Sequence, residues 1–221
     1  MTVDAAFPEP GRIVSRSRTV VDQVHELMLD AIASGELVAG DDVHDQEWAE
    51  RLNVSRTPIR EAIKRLEGHG VIDIAAARYT RIISFTPETA RLEAQSWATV
   101  HLAIASSLCG ATDRAAISKL RALRGRVYKA GAARRPAASF AFFTHLRTEA
   151  ASFAMRLAAT AASYRLVLAQ PLLHEHHDAD LALTASLITA LQKNAPGPLH
   201  AAFANWAEAA TRAEPMMRAS A

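Results

Sequence analysis

Between Asp45 and Ile83 the chain reads DQEWAERLNVSRTPIREAIKRLEGHGVIDIAAARYTRII, and the order of its apolar and turn residues admits few folds. Trp48, Ala49 and Leu52 fall at i, i+1 and i+4, one apolar face of a short helix, and Asn53 with Val54 supplies a turn. Ser55 and Thr57 are both N-cap candidates for a second helix. Pro58 suits its first helical position, where a missing N–H leaves nothing unbonded. Ile59, Ala62, Ile63 and Leu66 then recur at helical spacing and point inward, so Arg56, Arg60, Lys64 and Arg65 are left for another surface. Gly68 and Gly70 end the helix, and the rest reads as a small β-hairpin. Helix, tight turn, basic helix and hairpin predict a winged helix-turn-helix, a layout that docks in a DNA groove.

The residues left outside suit double-stranded DNA. Arginine near the start of a groove-lying helix can make paired hydrogen bonds to guanine, which makes Arg56 and Arg60 the base-edge candidates. Ser55, Thr57 and Lys64 are placed to hold phosphates. A solvated face laced by pairs such as Arg60 with Glu61 is the competing reading of the same charges. The ordered set of turn, capped helix, glycine stop and hairpin favours DNA.

Net charge adds little to that argument. The whole chain carries a formal +2, yet between Gly11 and Phe85 ten Lys or Arg face twelve Asp or Glu, a net −2. Positive charge is confined to Arg12, Arg16 and Arg18, to the run from Arg51 to Arg65, and to Arg78 and Arg81. Such a local stripe predicts modest non-specific affinity and a dependence on dimerisation. With 221 residues, half of them hydrophobic, there is material for one large or two modest domains. No apolar run reaches the roughly 18 residues of a membrane span. The first residues lack a signal-peptide pattern, so a cytoplasmic protein is expected. Cys109 is the only cysteine, which excludes an intrachain disulfide and a Cys-rich zinc site.

Punctuation divides the chain into a flexible arm (1–16), a DNA-binding domain (17–85) and a helical effector-binding and dimerisation domain (86–214). A helix carrying Val20, Val24, Leu27, Met28, Ala31 and Ile32 on one face precedes the motif and ends at Gly35. Thr86 as N-cap and Pro87 at the first position start the second half, with 84–87 as linker. Helices are expected near 87–108, 113–130, 137–160, 162–173, 178–194 and 198–212, making the fold mainly α with an all-helical bundle. In the second of these Ile117, Leu120, Leu123 and Val127 form the buried stripe, and Lys119, Arg121, Arg124, Arg126 and Lys129 face outward.

The run ERLNVSRTPIREAIKRLEGHGVIDI resembles the N-terminal domain of GntR-family bacterial transcription regulators, as does IASGELVAG before it. That resemblance implies DNA contacts by Arg56, Thr57 and Arg60 on the recognition helix and by Arg78 at the wing tip. Where many relatives carry Arg-Pro-Asn-Arg-Gly in the wing, this chain has Ala75, Ala76, Ala77, Arg78 and Tyr79, which implies a weak minor-groove contact. A winged helix joined to a bundle of this length is similar to the FadR C-terminal domain (FCD) subgroup. There the bundle binds a small effector, often a carboxylate, and many members hold a metal through an Asp and three His.

Carrying those ligands over fails. The nearest match to the subgroup's Asp-x-x-Phe-His is Ala141 to His145, the later Glu-His falls near Leu183 and Thr184, and the last His near Asn205 or Trp206. The expectation is therefore a degenerate site with no metal or other cofactor, and a pocket lined by Thr144, Thr184 and Trp206, with His145 and Arg147 as further effector contacts. Arg147, Arg156 and Arg165 are the available partners for a carboxylate. His174, Glu175, His176, His177 and Asp178 have ligand chemistry, but the run lacks two His at i and i+4 and sits at a helix break beside Pro171. An enzyme built on His145 and Glu149 is the weakest alternative, because no nucleophile motif or phosphate loop accompanies them. A DNA-binding dimer without effector is a stronger one. The favoured reading is an effector-controlled homodimeric repressor on a pseudo-palindromic operator.

Overall fold

The computed structural model describes residues 19–75, 78–130, 135–174 and 176–212. The expected arm at 1–16, Ala76 and Ala77 of the wing, and Glu175 lie outside them. The chain divides between Ile83 and Ser84 into two compact units.

The first unit holds α1 (Val20–Ser34), α2 (Asp45–Leu52), α3 (Arg56–Gly68) and an antiparallel hairpin of β1 (Ile72–Ala75) and β2 (Tyr79–Ile82). A reciprocal capping box between Thr19 and Asp22 starts α1, and Gly35, at φ +80°, ends it in the left-handed region. Val24, Met28 and Ile32 of α1 meet Ile59, Ala62, Ile63 and Leu66 of α3 in the core, closed by Trp48, Val71, Ile72 and Ile82. Val20, expected on the inner face, is exposed, since it stands in the first turn where the helix overhangs that core. Asn53 makes the turn between α2 and α3 with φ +52°. The third helix starts at Arg56 with Ser55 as N-cap, earlier than Pro58 at the first position would have it. Pro58 is the third helical residue, still in the turn whose N–H groups have no helical partner.

One pairing had no sequence signature. The main chain of residues 41–43 runs along β2, with Val43 N–H donating to Thr80 O at 2.8 Å and Ile82 N–H to Asp41 O at 2.8 Å. That extra edge brings Asp42, His44 and Asp45 beside the hairpin.

The second unit contains α4 (Pro87–Leu108), α5 (Arg114–Lys129), α6 (Arg135–Thr148), α7 (Phe153–Ala169), a 3₁₀ turn (Gln170–Leu172), α8 (His177–Lys193) and α9 (Gly197–Thr211). Thr86 caps α4 with Pro87 in its first turn. The long α4 packs on α7 and α9, while α5 packs on α6 and α8. Trp97, Ile104, Leu120, Phe142, Leu146, Leu183, Phe203 and Trp206 fill the centre. Gly110, at φ +78°, passes so close to Asn194 that a Cβ there would stand 2.9 Å from its Oδ1.

The single helix expected at 137–160 is two helices. Ser152 caps α7 by accepting from Met155 N–H, and the Arg156 guanidinium donates to the Ala150 and Ala151 carbonyls. The start of α7 is thus capped and two carbonyls of the 149–152 linker are satisfied without a Gly or Pro. The helix expected at 162–173 is the remainder of α7 plus the 3₁₀ turn.

Candidate DNA-binding face and helical cavity

In the first unit α3 presents Ser55, Arg56, Thr57, Arg60, Lys64 and Arg65 to solvent. The Ser55 hydroxyl makes no cap hydrogen bond, so the first N–H groups of this 13-residue helix remain open to an anion. Between α3 and the hairpin lies a concavity of about 590 Å³, lined on one side by Arg60 and Lys64 and on the other by Arg78, Tyr79 and Arg81. Arg78 donates its backbone N–H to Ala75 O at the end of the hairpin. Lys64 and Arg78 are thus brought to one channel.

Asp45 was not anticipated. Its carboxylate accepts from Arg56 at 2.8 and 3.0 Å and from Arg60 Nε at 2.6 Å, so one acid on α2 engages both base-edge candidates. Partial burial works to raise its pKa, but the two guanidiniums outweigh this and hold it below the usual carboxylate range. Arg65 has a different job: at 2.6 Å from Asp22 it ties α3 to α1 and, with Thr19, lowers the Asp22 pKa to about 2. Arg81 pairs with Asp42 at 2.9 Å and lies over the Tyr79 ring, stiffening the hairpin. Asp45, in the first turn of α2, reads in sequence only as a helix-dipole acid. Its partner arginines lie 11 and 15 residues away.

Behind this face His25 and His69 meet edge to face with ring centroids 5.2 Å apart. Burial first, and then the neighbouring His69 and Arg65, depress the His25 pKa to about 4.

In the second unit α6, α8 and α9 converge on a cavity of about 30 Å³ with aromatic walls from Trp97, Phe140, Phe143 and Trp206. At its centre is Asp180, only 7% exposed. Ser139 Oγ donates to its Oδ2 at 2.7 Å and Trp206 Nε1–H donates to its Oδ1 at 2.7 Å. His176 Nε2 stands 3.9 Å from Oδ1, and its Nδ1, 2.8 Å from the His174 carbonyl, must carry the proton of that bond. Deeper in, the His101 ring stacks on Trp97, with Nδ1 2.9 Å from Trp97 O. Burial lowers its pKa to about 3, so it is neutral at neutral pH.

Of the effector residues expected from sequence, Trp206 lines this cavity and Thr144, His145, Arg147 and Thr184 do not. Thr184 is fully buried and spends its hydroxyl on the Asp180 carbonyl one turn back. His145 Nε2, buried and without a hydrogen-bond partner among the described residues, sits 3.7 Å from Glu149, an i, i+4 pair at the end of α6. Arg147 is buried between the Phe140 and Tyr164 rings, and that burial lowers its pKa. Arg165 pairs with Glu93, and Arg156 donates to the Ala150 and Ala151 carbonyls after α6. The cavity residues of α6 are instead Pro136, Ser139, Phe140 and Phe143.

Neither an Asp nor a His stands at these α6 positions, where the resemblance to the FCD subgroup would call for metal ligands. The donors around the cavity are then one carboxylate already taken up by Ser139 and Trp206, one imidazole, and an indole with no lone pair to give. These residues do not fit a metal held by an Asp and three His. Among the described residues no group of three His, Cys, Asp or Glu is arranged to hold an ion. None of their helices is long and apolar enough to cross a membrane.

Residues 20–82 match the family described as bacterial regulatory proteins, gntR family. The match covers the first unit and stops short of the helical one. The whole fold is similar to that of E. coli McbR/YncC, with 15% identity over 85% of this chain and 95% of that one and a TM-score of 0.66. It is similar as well to a GntR transcriptional regulator from Rhodococcus sp. RHA1, with 19% identity, 84% and 96% of the two chains covered and a TM-score of 0.57. No curated protein matches the sequence. The matched segment is joined here to a helical unit, and the family it matches is described as one of regulatory proteins.

Proposed function

We propose that the protein is a homodimeric repressor of the cytoplasm whose GntR head binds a pseudo-palindromic operator and whose helical unit senses a small molecule. The observation that carries the DNA part is the channel between α3 and the hairpin, flanked by Arg60 and Lys64 on one wall and Arg78 and Arg81 on the other. A phosphate strand fits such a groove, and the exposed start of α3 brings Arg56 and Arg60 to base edges, with Ser55, Thr57 and Lys64 on phosphates. Dimerisation is supported by charge: a head with net −2 and one short basic stripe binds weakly alone, and two heads on a two-fold operator multiply the contacts.

The aromatic cavity around Asp180 supports the sensing part. A ligand there controls operator affinity only as far as it binds the DNA-bound and free forms unequally. The metal of the FCD subgroup has no place in this reading, because the cavity side chains offer the wrong donors. One equivalent of bound Zn or Ni per chain in the purified protein would overturn that. For DNA, Arg56→Ala and Arg60→Ala should each weaken binding to a selected operator by about 1–3 kcal/mol in fluorescence anisotropy, with an unchanged melting curve. If both variants bind like the wild type, the docking model is wrong.

A further inference from the structure

The Asp180 carboxylate is an unusual lining for a sensor cavity. It is buried, its two hydrogen-bond donors Ser139 and Trp206 are neutral, and the facing group, His176 Nε2, is 3.9 Å away, beyond a hydrogen bond. Nδ1 of His176 gives its proton to the His174 carbonyl, so in its neutral form the ring turns a lone pair toward the carboxylate. Two acceptors therefore face one another across the space between them. Both line the same cavity, so that space belongs to it.

What satisfies two acceptors and a buried negative charge together is a cation with N–H donors. The walls point the same way. Trp97, Phe143 and Trp206 line the cavity with Asp180, Trp97 lying 4.5 Å from Phe143 and 4.3 Å from Trp206 between centroids, and aromatic rings attract cations. The buried Arg147, the nearest candidate for holding a carboxylate, lies between Phe140 and Tyr164 and does not line the cavity. A volume of about 30 Å³ holds about two waters, or a head group of similar size.

We propose that the cavity between α6, α8 and α9 binds the primary ammonium group of a small amine, which donates to Asp180 and His176 against the Trp97, Phe143 and Trp206 rings. This names the ligand class of the sensor cavity proposed above and rests on that reading only for its effect on DNA. The amine inference reverses the preference for a carboxylate that the subgroup resemblance implies.

The test uses the full-length chain with n-butylammonium, tetramethylammonium and n-butyrate at equal ionic strength, read by thermal shift and by the Trp206 indole N–H resonance. Butylammonium should stabilise the protein and move that resonance saturably. Tetramethylammonium, a cation without N–H, should bind at least tenfold more weakly, and butyrate should leave the resonance unmoved. Asp180→Asn keeps an acceptor for Trp206 and removes the charge, so it should lose butylammonium binding at least tenfold. Should that variant fail to fold, the wild-type resonance decides. Butyrate moving the Trp206 signal as well as butylammonium does, or no saturable shift with the amine, overturns the proposal. Butylammonium that binds while operator affinity stays constant leaves the amine site standing and removes the sensor reading. Butyrate that changes operator affinity while the amine does not bind does the reverse.

Discussion

Asp45→Asn is the substitution with the most informative outcome, because one carboxylate engages both arginines assigned to the bases. Arg56 and Arg60 are more than half exposed, so each pair with Asp45 is worth about 0.2–1 kcal/mol. Asparagine keeps the volume and one acceptor but removes the charge. Against a scrambled duplex the variant gains twice over: freeing the arginines returns up to about 2 kcal/mol, and a negative charge near the phosphates disappears. At about 1.4 kcal/mol per tenfold, a gain of about 0.4–2 kcal/mol raises scrambled-DNA affinity about twofold to 25-fold. Against a selected operator the same gain is offset. Asp45 also orients the two guanidiniums, and a well-aligned arginine on guanine contributes about 1–3 kcal/mol of discrimination.

The expected result is therefore a specificity ratio lowered by the same factor, with the operator affinity itself nearly unchanged. Anisotropy titrations of both duplexes at one fixed salt concentration measure it, since salt alone moves either affinity by orders of magnitude. A melting curve accompanies them, because an acid in the first turn of α2 contributes about 0.3–1 kcal/mol to the fold. A ratio equal to the wild type's, in a folded variant, refutes the idea that Asp45 sets the arginines for base contact.

Two further outcomes test the framework. Ser152→Ala removes the cap that divides α6 from α7, and should lower stability in urea unfolding by about 0.5–2 kcal/mol without changing the m-value; no loss would mean Arg156 alone holds the break. Acid should destabilise both units: His101 and His25 have folded pKa values near 3 and 4 against an ordinary 6.5, so the unfolded chain takes up protons first. Their contribution is complete above about pH 6.5 and is lost as pH falls toward 4 for His25 and toward 3 for His101. Urea midpoints between pH 7.5 and 4.5 should fall less steeply for His101→Gln than for the wild type, and equal slopes would sink the assignment to His101.

The first unit was legible because its helices carry contrast. In α3 the apolar residues Ile59, Ala62, Ile63 and Leu66 alternate with charges at helical spacing, so phase, inner face and outer face follow together. The second unit lacks that contrast. From Ala137 to Phe143 α6 reads Ala, Ala, Ser, Phe, Ala, Phe, Phe, apolar almost all round, and its phase cannot be read from the residues. This is why Thr144, His145 and Arg147 looked as eligible for the cavity as Ser139 and Phe143. The break at 149–152 escaped notice for a related reason: it rests on a serine cap and an arginine reaching back, not on Gly or Pro. Asp180 and Asp45 were passed over because acids in the first turn of a helix already have an explanation in the helix dipole. Their real partners are long-range, and nothing local announces them.

The cavity's chemistry also bears on how the helical unit could respond to a ligand. A metal held from three helices locks them with several strong bonds. Here Ser139 of α6 and Trp206 of α9 meet on Asp180 of α8 through two neutral hydrogen bonds, each with a net worth of about 1.5–3 kcal/mol because the acceptor is charged. That tie is specific in geometry but weak enough for a ligand of ordinary affinity to reset. It is also costly to leave half made, since a buried carboxylate that loses a donor stands without compensation. A cation arriving beside Asp180 strengthens the junction of α6, α8 and α9, and its departure loosens all three together. On this reading the junction of Ser139, Asp180 and Trp206 responds to a ligand that carries positive charge.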